Sequence, residues 1–194
     1  MKYRVIILLF IVLNTLSCRQ MRELNTLSKC QFRMKSVTEV QLANVMLENK
    51  ESLQQLNIMQ IASLTQAFIN GNLPFMFTVN VEVKNPNATV AALNKIEWIA
   101  LVDEFEVAHG TITQRVEIQP NATEILPIKV STELLSILGN VAKDKAFGFG
   151  FKLDEGEGKQ TRVSLKIKPS VMIGNRNISS PAFFTITKEF TIQQ

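Results

Sequence analysis

Polar aromatic residues are almost missing from this chain, which has one Trp, one Tyr and one His among 194 residues. A single histidine excludes zinc sites built on paired histidines, such as a His-Glu-x-x-His helix. A Ser-His-Asp arrangement needs only His109, but no Gly-x-Ser-x-Gly elbow is present to expose a serine. Phosphate-cradling glycine loops are also missing; Gly148 and Gly150 alternate with Phe147, Phe149 and Phe151 as they would inside a strand. No apolar run is long enough to span a bilayer. The longest, Val5–Leu13, would cover roughly 14 Å as a helix, about half a hydrocarbon core. Charge of one sign is scarce too. The formal charge of +4 falls to +2 once Lys2 and Arg4 are set aside, too little for the dense basic stripe that nucleic acid requires. These absences argue against an enzyme, a metal site, a bound cofactor and a nucleic-acid partner.

What is present is an ordinary globular composition, 46% hydrophobic and 20% charged, in a chain long enough to fold without disulfides or metal. Lys2 and Arg4 followed by Val5–Leu13 make a signal peptide over residues 1–17. Residues 18–29 are a polar, unpatterned tether, and 30–194 a single domain. Strands are expected over 30–36 and 39–48, with Ser36 to Glu39 turning between them. An amphipathic helix follows over 52–70, with Leu53, Leu56, Ile61, Leu64 and Phe68 on one stripe, Ser52 at its start and Asn70-Gly71 at its end. Its polar face is rich in Gln and Asn and lacks Lys and Arg, so packing on the domain is preferred to a membrane surface.

From Leu73 the period is two. Phe75, Phe77, Val79, Val81 and Val83 face one way, Met76, Thr78, Asn80, Glu82 and Lys84 the other, until Asn85-Pro86-Asn87 ends the strand. Further strands are expected at Ile96–Val102, Phe105–Ile112 and Ile125–Val130, the last entered through Ile118 and Pro120-Asn121. A short second helix over 132–138 starts at Ser131 and stops at Gly139. Phe147, Phe149, Phe151 and Leu153 are expected to pair in a hairpin with Val163, Leu165 and Ile167, and a final strand covers 183–192. Repeated short strands joined by turns predict an all-β antiparallel sandwich.

Two stretches carry a resemblance to known families. Asn14-Thr15-Leu16-Ser17-Cys18, closing the apolar run, resembles the lipobox of bacterial lipoproteins of the Bacteroidetes type, although Thr15 stands where Leu is usual. That resemblance implies that Cys18 is the lipidated first residue of the mature chain. Plain signal cleavage and a short uncleaved anchor are the alternatives. Arg19 after Cys18, in place of an Asp, implies the outer membrane, facing the periplasm. Cys30 is then left as a small buried hydrophobe; otherwise the two cysteines could pair on the oxidising side of a membrane.

The second stretch is residues 73–130: the long alternating strand, Asn85-Pro86-Asn87, the closing Val107-Ala108-His109-Gly110, and Ile118-Gln119-Pro120. It resembles the late embryogenesis abundant (LEA) type 2 domain, also called the water-stress and hypersensitive-response domain, over about 73–192. The resemblance implies a fibronectin-III/immunoglobulin-like sandwich, an association with desiccation stress and no catalytic residues. Asp103-Glu104-Phe105 departs from it where a glycine turn is commoner.

The remaining candidates have ordinary explanations. His109 before Gly110 is expected to be a solvated turn residue, and Asp154-Glu155-Gly156-Glu157-Gly158 a hairpin tip rather than a Ca²⁺ loop. Arg162, Lys166 and Lys168 form a solvated outer face, with acidic lipid or polysaccharide as the sharper alternative. Asn87, Asn121 and Asn177 begin Asn-x-Ser/Thr triplets and are expected to be turn residues. The function expected is a lipid-anchored, non-catalytic structural or interaction module of the cell envelope. The alternative is a periplasmic carrier that takes an apolar ligand or a protein client beside Phe75, Phe77 and Trp98.

Overall fold

The computed structural model describes residues 26–47, 55–102, 104–138, 161–173 and 176–190. In chain order its elements are β1 (Gln31–Leu42), β2 (Val45–Met46), α1 (Ile58–Ile69), β3 (Pro74–Lys84), β4 (Ala91–Leu93), β5 (Lys95–Val102), β6 (Phe105–Ile112), β7 (Val116–Ile118), β8 (Thr123–Glu133), α2 (Leu134–Leu138), β9 (Thr161–Ile173), β10 (Arg176–Ser179) and β11 (Phe184–Phe190). One sheet runs β2-β1-β3-β8. A second runs β10-β9-β5-β6, with β11 also on β9, and β4 pairs with β7. Every pairing is antiparallel. This is the expected all-β sandwich.

Alternation decides what lies between the sheets. On β3, Phe75, Phe77, Val79, Val81 and Val83 are all buried, and β8 sets Val130, Ile128 and Leu126 opposite Phe77, Val79 and Val81. The second sheet contributes Ile96, Trp98, Ala100 and Val102 from β5, with Leu165 and Ile167 of β9 paired to Ala100 and Trp98. Phe77 is only 3% exposed, a burial that stabilises by roughly 1.5–3 kcal/mol. Gly110 lies opposite Trp98 on β6. A Cβ at Gly110 would sit 2.6 Å from Cζ2 of the indole, so the absent side chain is what lets Trp98 lie against the strand.

Several expected boundaries move, each for a physical reason. Ser36 to Glu39 is not a turn. β1 continues through it with two register shifts, between Met34 and Ser36 and between Thr38 and Gln41, and Glu39 has φ 56. The polar run marks bulges. Ser36 Oγ and Thr38 Oγ1 each accept from Asn80 Nδ2 at 3.0 Å, and Thr78 Oγ1 donates to Glu39 Oε2 at 2.6 Å. The turn itself is Ala43-Asn44, with φ 47 and 64, the two-residue geometry that matches strand twist in a hairpin.

Among the described residues the first helix begins at Ile58 rather than at residue 52. Asn57 Oδ1 accepts from Gln60 N at 2.9 Å while Gln60 Oε1 accepts from Asn57 N at 3.0 Å, a reciprocal cap; Ser52 lies outside the described residues. Its end is as expected, with Asn70 at the cap and Gly71 at φ 69. The stripe is less buried than its periodicity suggests. Leu64 is buried and Phe68 half-buried, but Ile61 is 43% exposed. Ile58, Met59 and Ile69 are exposed outright. Leu53 lies outside the described residues.

Ser131 does not open the second helix, because β8 runs on to Glu133. The Glu133 carboxylate accepts instead from Leu135 N at 3.4 Å and from Leu73 N at 2.6 Å. The hairpin expected between 147–153 and 163–167 is overturned, since both edges of β9 are occupied there. Leu165 faces Ala100 of β5 on one side and Ile186 of β11 on the other. Residues 139–160, including Gly139, the phenylalanine run and the acidic glycine cluster, lie outside the described residues. Finally, the folded domain reaches back past residue 30. Thr26 and Leu27, expected in the tether, are 7% and 8% exposed.

Candidate functional site

Asn85 continues the odd-numbered phase of β3, the phase that carries Phe75 to Val83 into the core, and it is 0% exposed. An amide there must find every partner inside the protein. Its Nδ2 donates to the carbonyls of Thr89 (2.9 Å), Ile118 (2.9 Å) and Gln119 (3.1 Å). Its Oδ1 accepts from Asn87 N (3.1 Å) and Asn87 Nδ2 (2.8 Å). Its backbone N–H donates to Ala122 O at 2.9 Å. One side chain therefore ties the end of β3, the link into β4 and the β7–β8 connection at one corner of the sandwich. Pro86, exposed and without a donor, turns the chain out of the sheet.

The N-terminal segment is tied to the same corner. Asn87 Nδ2 also donates to Thr26 O at 3.0 Å, and the hydroxyls of Thr26 and Thr89 are 3.2 Å apart. Cys30 Sγ donates to Thr26 O at 3.5 Å and lies 4.0 Å from Asn85 Oδ1. Burial pushes the Cys30 thiol up from its ordinary value, so it is half-buried and held as a thiol. It heads the face of β1 on which Met34 is buried and Phe32 half-buried, as the alternation predicts.

Among the described residues every buried side-chain nitrogen and oxygen has a partner. At this corner those partners are other groups of the fold, so the asparagines act as a clasp. No group of three or more His, Cys, Asp or Glu among the described residues stands close enough to hold a metal ion. Asn85, Pro86 and Asn87 stand at this corner directly after the end of β3. Thr26 and Thr89, which complete the corner, were missed, and nothing in their own spacing signals the role. Cys18 lies outside the described residues.

The other candidates are dispersed. His109 is not in a turn; it sits within β6 opposite Ile99, exposed, with Nδ1 2.9 Å from Glu106 Oε1. Arg162 pairs with Glu189 at 2.9 Å and Glu104 at 3.5 Å, and the Lys168 ammonium lies 5.7 Å from the Phe183 ring. Glu97 faces Lys168, and hydrogen bonding by Lys95 together with that lysine's charge holds its carboxyl below the usual range; Lys168 adds to the effect. The basic outer face is therefore interleaved with acids. Asn121 is in a turn at φ 57, whereas Asn177 is an exposed residue of β10 opposite Met172.

These features define an antiparallel β-sandwich with one corner clasped by a buried asparagine. No family model matches the chain, and no curated protein matches it in sequence. Similar solved structures include a protein from Archaeoglobus fulgidus, at 17% identity and TM-score 0.39, over 62% of this chain and 87% of that one. A protein from Arabidopsis thaliana gives 18% identity and TM-score 0.42, over 61% of this chain and 70% of that one. A candidate LEA protein gives 13% identity and TM-score 0.42, over 97% of this chain and 87% of that one.

Proposed function

We propose that the protein is a non-catalytic structural or interaction module of the cell envelope, lipid-anchored through Cys18 and related to the desiccation-associated LEA type 2 domains. The observation that carries the family reading is Asn85-Pro86-Asn87, the motif of the resemblance, which forms a fully satisfied clasp at the end of the long alternating strand. A clasp of that kind supports a role in holding a scaffold. The anchor reading rests on the short apolar run and on Ser17-Cys18. On it, the protein stands on the outer membrane and faces the periplasm.

The anchor is tested by labelled palmitate in the native host. Wild type takes up label and partitions into detergent, and Cys18→Ser does neither; equal labelling of the two would end this reading. The stress role is tested by deleting the protein and scoring survival after drying or osmotic shock. Full survival of the deletion strain would remove it.

A carrier is the second reading, favoured by Ile58, Met59 and Ile69, which are 80%, 72% and 72% exposed on α1. Trp98, the single tryptophan, is buried in the same core as Phe75 and Phe77. An apolar ligand entering beside it would shift its emission in a fatty-acid titration. An unchanged spectrum at saturating ligand counts against the carrier.

A further inference from the structure

We propose that the Asn85 corner is the membrane-proximal pole of the domain, facing a phospholipid surface, with α1 held at the opposite pole. The inference rests on the proposed anchor at Cys18 and adds an orientation to it. Eight peptide steps separate Cys18 from Thr26, a reach of at most ~29 Å when fully extended. That reach ends at a fixed point, because Thr26 is buried and bonded to Asn87 and Thr89. The lipid therefore pulls on the described fold at the Asn85 corner, where Thr26 is held.

The far pole is set by β3. Its eleven residues run from Lys84 beside the corner to Pro74, about 33 Å away over ten steps at ordinary strand rise. α1 closes at that far end. Ile69 is followed within five residues by Pro74, and Leu73 is bonded there to Leu134 and Glu133.

The two poles also differ in chemistry. At the corner, exposed Ala88, Thr89, Val90 and Pro120 are small or uncharged, with exposed Lys29 and Lys84 beside them and Glu124 as the acidic neighbour on β8. α1 has exposed apolar residues but no lysine or arginine, the residues that hold an interfacial helix on an anionic surface. Its apolar stripe thus points away from the lipid.

Energy transfer to the lipid surface tests this. The full chain is produced in a lipoprotein-exporting bacterial host in a Cys30→Ala background. A donor is attached at Ala88→Cys or at Ile69→Cys, with Ser63→Cys as a second α1 position. Each copy is placed in vesicles of phosphatidylethanolamine and phosphatidylglycerol carrying a headgroup acceptor. Transfer is expected to be severalfold greater from position 88 than from either α1 position. Equal or reversed transfer, with binding still dependent on Cys18, overturns the orientation and leaves the anchor standing. Cys18→Ser copies that bind the vesicles as fully as lipidated ones overturn the anchor, and the orientation with it.

Discussion

Replacing Asn85 with alanine removes a side chain that accepts two hydrogen bonds and shares its two N–H groups among three carbonyls, at a position with no solvent exposure. Neutral bonds are worth about 1 kcal/mol each, and stranded buried carbonyls cost a further 1–3 kcal/mol apiece. The gap left behind is lined by the carbonyls of Thr89, Ile118 and Gln119 and by Asn87, polar enough for a water to replace part of the loss. A net destabilisation of about 3–5 kcal/mol follows, a large share of a typical domain's stability. With a urea dependence of about 2 kcal/mol per molar, the unfolding midpoint should fall by roughly 1.5–2.5 M.

Asn85→Asp sharpens the test because shape is kept. A carboxylate there faces three carbonyl oxygens, so the folded pKa rises above the unfolded value of about 3.9. As pH climbs past that value the unfolded chain releases its proton while the folded chain retains it. Stability therefore falls with rising pH until the folded pKa is passed. Urea titrations from pH 4 to 8, followed by circular dichroism, measure both effects. A loss below about 1 kcal/mol for Asn85→Ala, or a stability for Asn85→Asp that does not vary with pH, would refute the clasp.

Three further outcomes are expected. Gly110→Ala drives a Cβ to within 2.6 Å of the Trp98 ring and should cost about 1–3 kcal/mol, with altered tryptophan emission; an unshifted spectrum with full stability would deny the contact. A chain beginning at Lys29 loses buried Thr26 and Leu27 and should be about 2–4 kcal/mol less stable in urea than one beginning at Asn25. Equal midpoints would make 26–28 a spacer. Cys30, its thiol raised by burial, should alkylate with a pH midpoint above that of the urea-unfolded chain, and coincident midpoints would contradict its placement.

Where one signal acted alone, the sequence was legible. The period-two run of β3, the alternation Ile96-Trp98-Ala100-Val102 and the bounds of β6 all follow from side chains that must face a core. Errors arose where polar residues had two possible reasons to occur. Ser36 to Glu39 has turn composition, yet its hydroxyls and carboxylate serve a bulge bonded to Asn80 and Thr78. Ser131 is a good cap in isolation but lost to Glu133, and α1 takes its cap from Asn57; the partners of both are visible only in three dimensions. Gly110 suggested a turn and instead makes room for an indole on the preceding strand, β5. The site was half visible. An asparagine on the buried phase of a strand demands internal partners, but nothing local says that Thr26, far away along the chain, is among those gathered there.

The Thr26 attachment has a mechanical consequence. β1 starts beside Lys84 and runs away from the corner to Phe75, so tension applied at the N-terminus and directed out of the corner acts parallel to the strand. The rungs joining β1 to β3 are then loaded together in shear and resist as a group. The bonds from Thr26 to Asn87 and Thr89 stand ahead of them in the load path, outside the sheet ladder. They yield first. Released, residues 26 to 30 would span at most about 14 Å over four peptide steps while the β1–β3 rungs stay paired, so tension at the N-terminus is spent on this segment, Leu27 included, before it loads the sheet.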